Sequence, residues 1–345
     1  MNEIIKEDID RIRNNLGEIG KDIEGRTFLV TGGAGFLGSW FCDILDSFNA
    51  KVICVDNLSS GSMDNIAHLA GSKNFSFFEE DVCEFNTDIG IDYIVHMASI
   101  ASPSLYQKLP IETLDSNIMG TKRMLEMAAR KKVKGFLFTS TSEVYGDPAA
   151  VPTPETYYGN VNSYGPRSMY DEGKRAAEAY CYSFFKGGVP VRISRIFNTY
   201  GPRLDTKNPS AYGRVITRFI HLALAGEPIT VYGDGTQTRS FTYITDLIES
   251  MFRLLMKDGI NGSVVNLGSD DERSILDVAT MIKDMTDSPS IIVFKDLPKD
   301  DPKRRCPDIT LSKDLIGFKQ KINIDEGLER TIRWHRQSTK GITHD

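Results

Sequence analysis

The chain has 345 residues, 40% of them hydrophobic and 26% charged, an ordinary make-up for a folded protein of two lobes, or of one large α/β domain with a smaller cap. Its net charge of −6 excludes the basic field on which sequence-independent nucleic-acid binding depends, while leaving room for a local basic pocket that takes an anionic small molecule. Cys42, Cys54, Cys83, Cys181 and Cys306 stand singly with no C-x-x-C spacing, which predicts reduced thiols in a cytoplasmic protein with neither a metal site nor a disulfide frame.

The N-terminus is charged from Glu3 onward, unlike a signal peptide, and no apolar run approaches the ~20 residues of a membrane helix. Ile4, Ile9, Ile12, Leu16, Ile19 and Ile23 trace a helical stripe over residues 1–24. Such a helix packs on its own protein or on a subunit, the alternatives being a membrane surface or another partner. Arg26 to Val30 then predicts a strand, followed by Thr31-Gly32-Gly33-Ala34-Gly35-Phe36-Leu37-Gly38. Glycines spaced in this way let the backbone turn tightly and approach a pyrophosphate, which rests on the N-terminus of the helix running from Phe36 through Trp40, Ile44 and Leu45. A second strand, Lys51 to Val55, ends in Asp56, an acid placed to bind the adenosine ribose hydroxyls and to repel a 2′-phosphate. NAD is therefore expected over NADP. Strands follow at Asn74 to Phe78, with Asp81-Val82 at its end, and at Ile91 to Met97, running into Ala98-Ser99. Asp81 reads either as an adenine contact or as a turn acid, and His96 as a packed, hydrogen-bonded core histidine. A helix from about Pro110 to Arg130 and a strand from Gly135 to Thr139 complete an alternation that gives a Rossmann-type, doubly wound α/β sheet.

After that strand come Ser140-Thr141-Ser142-Glu143-Val144-Tyr145-Gly146, and later Tyr170-Asp171-Glu172-Gly173-Lys174. Tyr170 and Lys174, spaced i, i+4, share one helical face. A free phenol ionises near pH ~10, too high for a base at neutrality. A cation about 4 Å away at an effective dielectric of ~20 stabilises a phenolate by up to ~4 kcal/mol, enough to bring it into range.

With these residues in place the chain resembles the extended short-chain dehydrogenases/reductases from about Arg26 to Arg336, and most closely the UDP-glucuronic acid decarboxylases, or UDP-xylose synthases. The glycine loop and the Tyr/Lys pair mark only the superfamily. The narrower resemblance rests on His96 to Pro103, Ser140 to Pro148, Tyr158-Gly159-Asn160-Val161-Asn162, Gly165-Pro166-Arg167 leading into Tyr170, Arg195 to Arg203, Gly233 to Phe241, and Asp300-Asp301-Pro302 to Pro307-Asp308-Ile309. It implies an N-terminal NAD-binding domain over 25–196, a discontinuous nucleotide-sugar lobe over 197–345 with a return of about 240–270 to the first, and a homodimer formed through the Tyr/Lys helix and its neighbour. Two departures stand out: a long loop at Leu204 to Tyr212, and Asp115 where some relatives carry a basic residue, both expected near the substrate side.

The resemblance also implies roles. Asn57, Ser60, Gly61, Asp81, Val82, Ala98 and Ser99 join Asp56 and the glycine loop around NAD. Asn117, Asn198, Thr199, Arg214, Tyr232, Arg239 and Arg305 face UDP-glucuronate, with Tyr232 stacking on uracil or packing under its loop. Arg304 and Arg305 are not separable from sequence as pyrophosphate partners. Tyr170 and Thr141 take the sugar 4-hydroxyl, Lys174 holds the ribose and lowers the Tyr170 pKa, and Ser142 and Glu143 lie toward C5 and C6. Arg239 fixes the substrate carboxylate or else is a strand-edge cation. Oxidation at C4 places a ketone β to the carboxylate carbon, so that carbon dioxide leaves and returned electrons give UDP-xylose. A 4,6-dehydratase is disfavoured because Ser142 is a poor acid, a 4-epimerase because Glu143 crowds a turning sugar, and an NAD-binding scaffold because Tyr170 and Lys174 are both kept. Release of the 4-keto pentose is left open.

Overall fold

Short β-branched and aromatic runs, buried on both faces except at the edge strand Phe75–Phe78, build the central sheet of the computed structural model, which describes residues 1–204, 214–298 and 302–340. Its strands are β1 (Thr27–Thr31), β2 (Lys51–Val55), β3 (Phe75–Phe78), β4 (Tyr93–His96), β5 (Gly135–Thr141), β6 (Val191–Ile196) and β7 (Val264–Leu267). All pair in parallel, in the spatial order β7-β6-β5-β4-β1-β2-β3. Side chains alternate between two cores, as the pleat requires. Phe28, Val30, Cys54, Val95 and Leu137 pack on one side, and Leu29, Ile53, Val55, Ile94, Phe136 and Phe138 on the other. Helices α1 (Glu3–Leu16), α2 (Phe36–Ser47), α3 (Thr121–Lys131), α4 (Ser168–Lys186), α5 (Ile244–Met256) and α6 (Ile324–Lys340) supply most of the remaining apolar surface. The first, second and fifth contribute to the first core, the third and fourth to the second. The strand order reverses between β1 and β4, and the loops leaving those two strands diverge around a crevice at their carboxyl ends.

The leading helix belongs to the protein's own core. Ile4, Ile5, Ile9, Ile12 and Leu16 are buried. Fully buried Asp8 accepts from Tyr243 Oη at 2.6 Å and pairs with Arg330 at 2.8 Å. Burial pushes the Asp8 carboxyl up to about 6 against those two partners. The expected return over about 240–270 opens with two short strands, and neither joins the main sheet. Thr238–Ser240 lies between Glu272–Ser274 and Arg304–Arg305, while Thr242–Tyr243 pairs with Thr199–Tyr200. It is α5 and β7 that return to the large sheet. The segment carrying Arg305 is held by Thr153, whose N–H donates to Cys306 O at 2.9 Å and whose carbonyl accepts from Asp308 N at 3.0 Å. Residues 205–212 of the long loop, and Asp300 and Asp301, lie outside the described residues.

Candidate active site

A cavity of about 1070 Å³ fills the crevice and runs from Asp56 to Tyr170 and Lys174. At its dinucleotide end the glycines are obligatory. Gly32 has φ +70°, and a Cβ there would lie 2.8 Å from Ala98 N; a Cβ on Gly38 would lie 2.2 Å from Gly32 O. Gly35, Phe36 and Leu37 line the cavity beside them. The Asp56 carboxylate accepts from Ala34 N at 3.0 Å and Leu58 N at 2.8 Å, which fixes it at the end of β2. Asn57, Ser60, Val82, Ala98 and Ser99 also line the cavity, whereas Gly61 packs behind it, where a Cβ would meet the Asp56 carboxylate at 2.9 Å. Asp81 is the turn acid of the two readings, and it also borders the cavity. It closes the turn by accepting from Cys83 N at 2.8 Å and Asn57 Nδ2 at 2.9 Å. A backbone that admits no side chain at the loop, a ribose-facing acid and one continuous cavity together fit NAD. His96 is core, as expected: it bonds Thr31 and Thr121 at 2.7 and 3.0 Å, and burial lowers it to about 3.

At the other end β5 delivers Thr141, the short helical turn after it delivers Ser142 and Glu143, and α4 delivers Tyr170 and Lys174. Thr141 lines the cavity with Tyr170 and is among the neighbours that favour its phenolate. The expected effect of Lys174 on the phenol is not what this geometry gives. Lys174 Nζ donates to Thr139 O at 2.8 Å and lies 4.9 Å from the Phe138 ring centroid. Burial lowers its ammonium to about 7. Tyr170 is pushed up to about 12 by burial, with Glu143 and Asp171 adding to the rise and Thr141 and Arg214 opposing it. An i, i+4 spacing put both groups on one face, but the free β5 carbonyl claimed the ammonium.

Glu143 sits between two guanidinium groups. Arg305 meets it through both nitrogens, Nη2 at 2.8 Å from Oε2, and Arg167 Nη2 lies 2.6 Å from the same oxygen. Burial alone would raise this carboxyl, yet the two arginines outweigh it and hold Glu143 well below the usual range. Asp171, 3.8 Å from Arg167, is pushed by burial and by Glu143 up to about 8. The choice between adjacent arginines is thus made by strand register. Arg305 pairs across from Arg239 and points inward, while exposed Arg304 pairs with Glu272 at 2.7 Å. Arg305, expected at a phosphate, has its guanidinium engaged on Glu143.

A smaller cavity of about 130 Å³ continues from Glu143 and is lined by Asn198, Thr199, Arg214, Tyr232, Arg239 and Arg305. Asn198, Thr199 and Arg214 line both cavities. Arg239 lines only the smaller one, beyond Glu143 from Tyr170, and donates to Thr238 O at 2.8 Å. Tyr232 packs with Arg218, whose guanidinium carbon is 4.7 Å from the ring centroid. Two expectations fail. Asn117 is fully buried, accepts from Ser99 Oγ at 2.8 Å and packs against Gly173, so it lines neither cavity. Asp115, whose carbonyl accepts from Cys83 Sγ, sits at the dinucleotide end, away from the sugar side. Sequence reading also passed over two contributors. Tyr106 stacks on Tyr170 with centroids 5.4 Å apart and planes 7° from parallel, and Arg167 clamps Glu143. Only the Gly165-Pro166-Arg167 block hinted at the second, and nothing local marked the first.

The profile of the "NAD dependent epimerase/dehydratase family" matches residues 28–268. The chain belongs to this extended short-chain dehydrogenase/reductase family. Among family members, UDP-glucuronic acid decarboxylase 1 of Xenopus tropicalis is 45% identical over 90% of this chain and 72% of its own. UDP-glucuronic acid decarboxylase 2 of Arabidopsis thaliana is 43% identical over 95% and 74%. Among solved structures, the UDP-glucuronic acid 4-epimerase of Bacillus cereus, in complex with UDP-glucuronic acid and NAD, superposes with a TM-score of 0.80 at 30% identity, covering 90% of this chain and 99% of that one. The UDP-glucose 4-epimerase of Thermotoga maritima gives 0.82 at 30%, covering 91% and 99%. NAD is the cofactor of the family, and the glycine loop and Asp56 line one end of this chain's large cavity.

Proposed function

We propose that the protein decarboxylates UDP-glucuronic acid to UDP-xylose. The observation that carries the reading is an ionised glutamate, Glu143, clamped by Arg167 and Arg305 beside the Thr141–Tyr170 pair. Its support from relatives is their shared name and their 40–46% identity over most of the chain. Bound NAD supplies a two-electron oxidant that is reduced and restored within one turnover. Tyr170 and Thr141 orient the sugar 4-hydroxyl, and the phenol oxygen takes its proton as C4 is oxidised. Burial makes that phenol a reluctant base, and Arg214, which already lowers it, is the cation this geometry offers to favour the phenolate.

The ketone at C4 then accepts the electrons that carbon dioxide leaves behind, a proton from water closes the enolate at C5, and Tyr170 returns its proton to the 4-oxygen as the electrons come back to C4. Glu143 stays anionic throughout, and its charge opposes a second carboxylate nearby while favouring departure of neutral carbon dioxide. Arg239, in the neighbouring cavity on the far side of Glu143, is the cation assigned to the sugar carboxylate before its loss. Asn198, Thr199, Arg214 and Tyr232 hold the nucleotide end. Proton NMR of UDP-glucuronate incubated with the protein tests the reading. Carbon dioxide and UDP-xylose without consumption of added NAD is the expected result. Accumulation of the 4-keto pentose would redirect the last step, and unchanged UDP-glucuronate would refute the assignment.

A homodimer through α3 and α4 is part of the same proposal, supported by the exposed apolar side chains of Ile111 and Met119 just before α3, and sedimentation velocity tests it. A cytoplasmic location is supported by five cysteines that are all free thiols. Among the described residues no helix is long and apolar enough to cross a membrane.

A further inference from the structure

We propose that Asp43 and Arg203 form a clasp that retains the dinucleotide, with Arg203 acting as a positioning residue for the wall of the cavity opposite the glycine loop. Arg203 is a non-glycine residue at φ +75°, a left-handed backbone that is costly for a side chain with a Cβ and persists only where surrounding contacts hold it. The contacts are specific. Its Nη1 lies 2.6 Å from Asp43 Oδ2, with side-chain exposures of 5% and 1%. Its guanidinium carbon lies 5.1 Å from the centroid of the Trp40 ring. Trp40 Nε1 in turn donates to Pro202 O at 3.2 Å.

Trp40 and Asp43 stand one turn apart on α2, the helix whose N-terminus opens from the glycine loop. Two consecutive residues of the 197–204 turn are therefore pinned to the element that receives the pyrophosphate. Arg203 and Leu204 line the large cavity together with Gly35, Phe36, Leu37 and Gly38. The same turn carries Asn198 and Thr199, which line both cavities. A dinucleotide held between loop and turn leaves only when that wall parts, and a dry ion pair resists parting more than a solvated one. Asp43 keeps a second partner, His68 Nε2 at 2.5 Å, so the carboxylate is not orphaned if Arg203 is removed. The clasp acts on the cofactor whichever sugar nucleotide is turned over.

The test is NAD release from the full-length protein. Protein saturated with NAD is desalted, and co-eluting nucleotide is quantified by chromatography against time after dilution, with circular dichroism and UDP-sugar KM measured in parallel. Arg203→Gly suits the left-handed backbone, and Asp43→Asn removes the charge partner. Both should release NAD at least about tenfold faster at unchanged secondary structure and nearly unchanged UDP-sugar KM. Arg203→Lys, which keeps a charge without the planar fork, should fall between them and the parent. Because either single change risks the fold, Asp43→Asn/Arg203→Gln supplies a neutral, hydrogen-bonding pair of similar volume. Parental release from any folded variant lacking the ion pair would overturn the proposal. So would a lowered melting temperature with no change in release, the signature of a purely structural role.

Discussion

Replacing Arg305 with methionine probes the charge arrangement on which decarboxylation depends. Arg305 and Glu143 have side-chain exposures of 6% and 16%, so solvent screens their interaction little. Charges about 4 Å apart at an effective dielectric of ~20 attract by ~4 kcal/mol, equivalent to a carboxyl pKa change of ~3. Arg167 stays 2.6 Å from the same carboxylate, so Glu143 is not left as an unpaired buried charge, and the stability loss should be smaller than the ~3–5 kcal/mol of that case. The parent's Glu143 is held ionised far into acid. In Arg305→Met its carboxyl climbs toward the ordinary range, so a protonated fraction builds up at mildly acidic pH. If the anion is required, the acid limb of the UDP-xylose formation rate moves to higher pH. Rates read by NMR from mildly acidic to neutral pH give the profile, with thermal melts as control. Arg305→Lys restores charge without the bidentate fork and should recover part of the shift. An Arg305→Met protein with the parental acid limb and rate would show that the clamp seen here plays no part in turnover.

Tyr170→Phe keeps the ring packed against Tyr106 and should fold normally while losing at least about 10²-fold in UDP-xylose formation, measured by NMR; full activity would contradict its role as base. Gly38→Ala puts a methyl 2.2 Å from Gly32 O, so co-purifying NAD should fall to near zero by chromatographic assay of the denatured protein. His96 is kept neutral by burial down to about 3, against ~6.5 when unfolded, so the unfolded chain binds more protons between those values. Stability should therefore drop as pH falls through that window, by up to about 5 kcal/mol, and urea titrations of His96→Asn should show a shallower acid loss. Arg304→Ala removes only a surface partner of Glu272 and should leave turnover within about twofold in the same NMR assay.

Local chemistry made the cofactor half of this protein readable in advance. Gly32 and Gly38 tolerate no Cβ because of backbone a few residues or one strand away, and Asp56 is fixed by the end of its own strand. Strand–helix alternation carried the sheet for the same reason, since pleat and crossover rules act over short stretches. The sequence by itself also placed Thr141, Glu143, Tyr170 and Lys174 at one site. What it left undetermined were contacts made across long separations. Register between Thr238–Ser240 and Arg304–Arg305 turned Arg305 inward and Arg304 outward, a one-residue alternation that no local pattern sets. The backbone carbonyl of Thr139 on β5 takes the Lys174 ammonium, a contact that the i, i+4 spacing with Tyr170 does not announce. Asn117 went into the seam against Gly173 instead of the cavity, and Arg167 and Tyr106 entered the site because α4 and the segment after β4 meet there. Backbone geometry is encoded within a few residues; which charge ends beside which is settled by how distant elements pack, because a buried ion must find its partner wherever the fold leaves one.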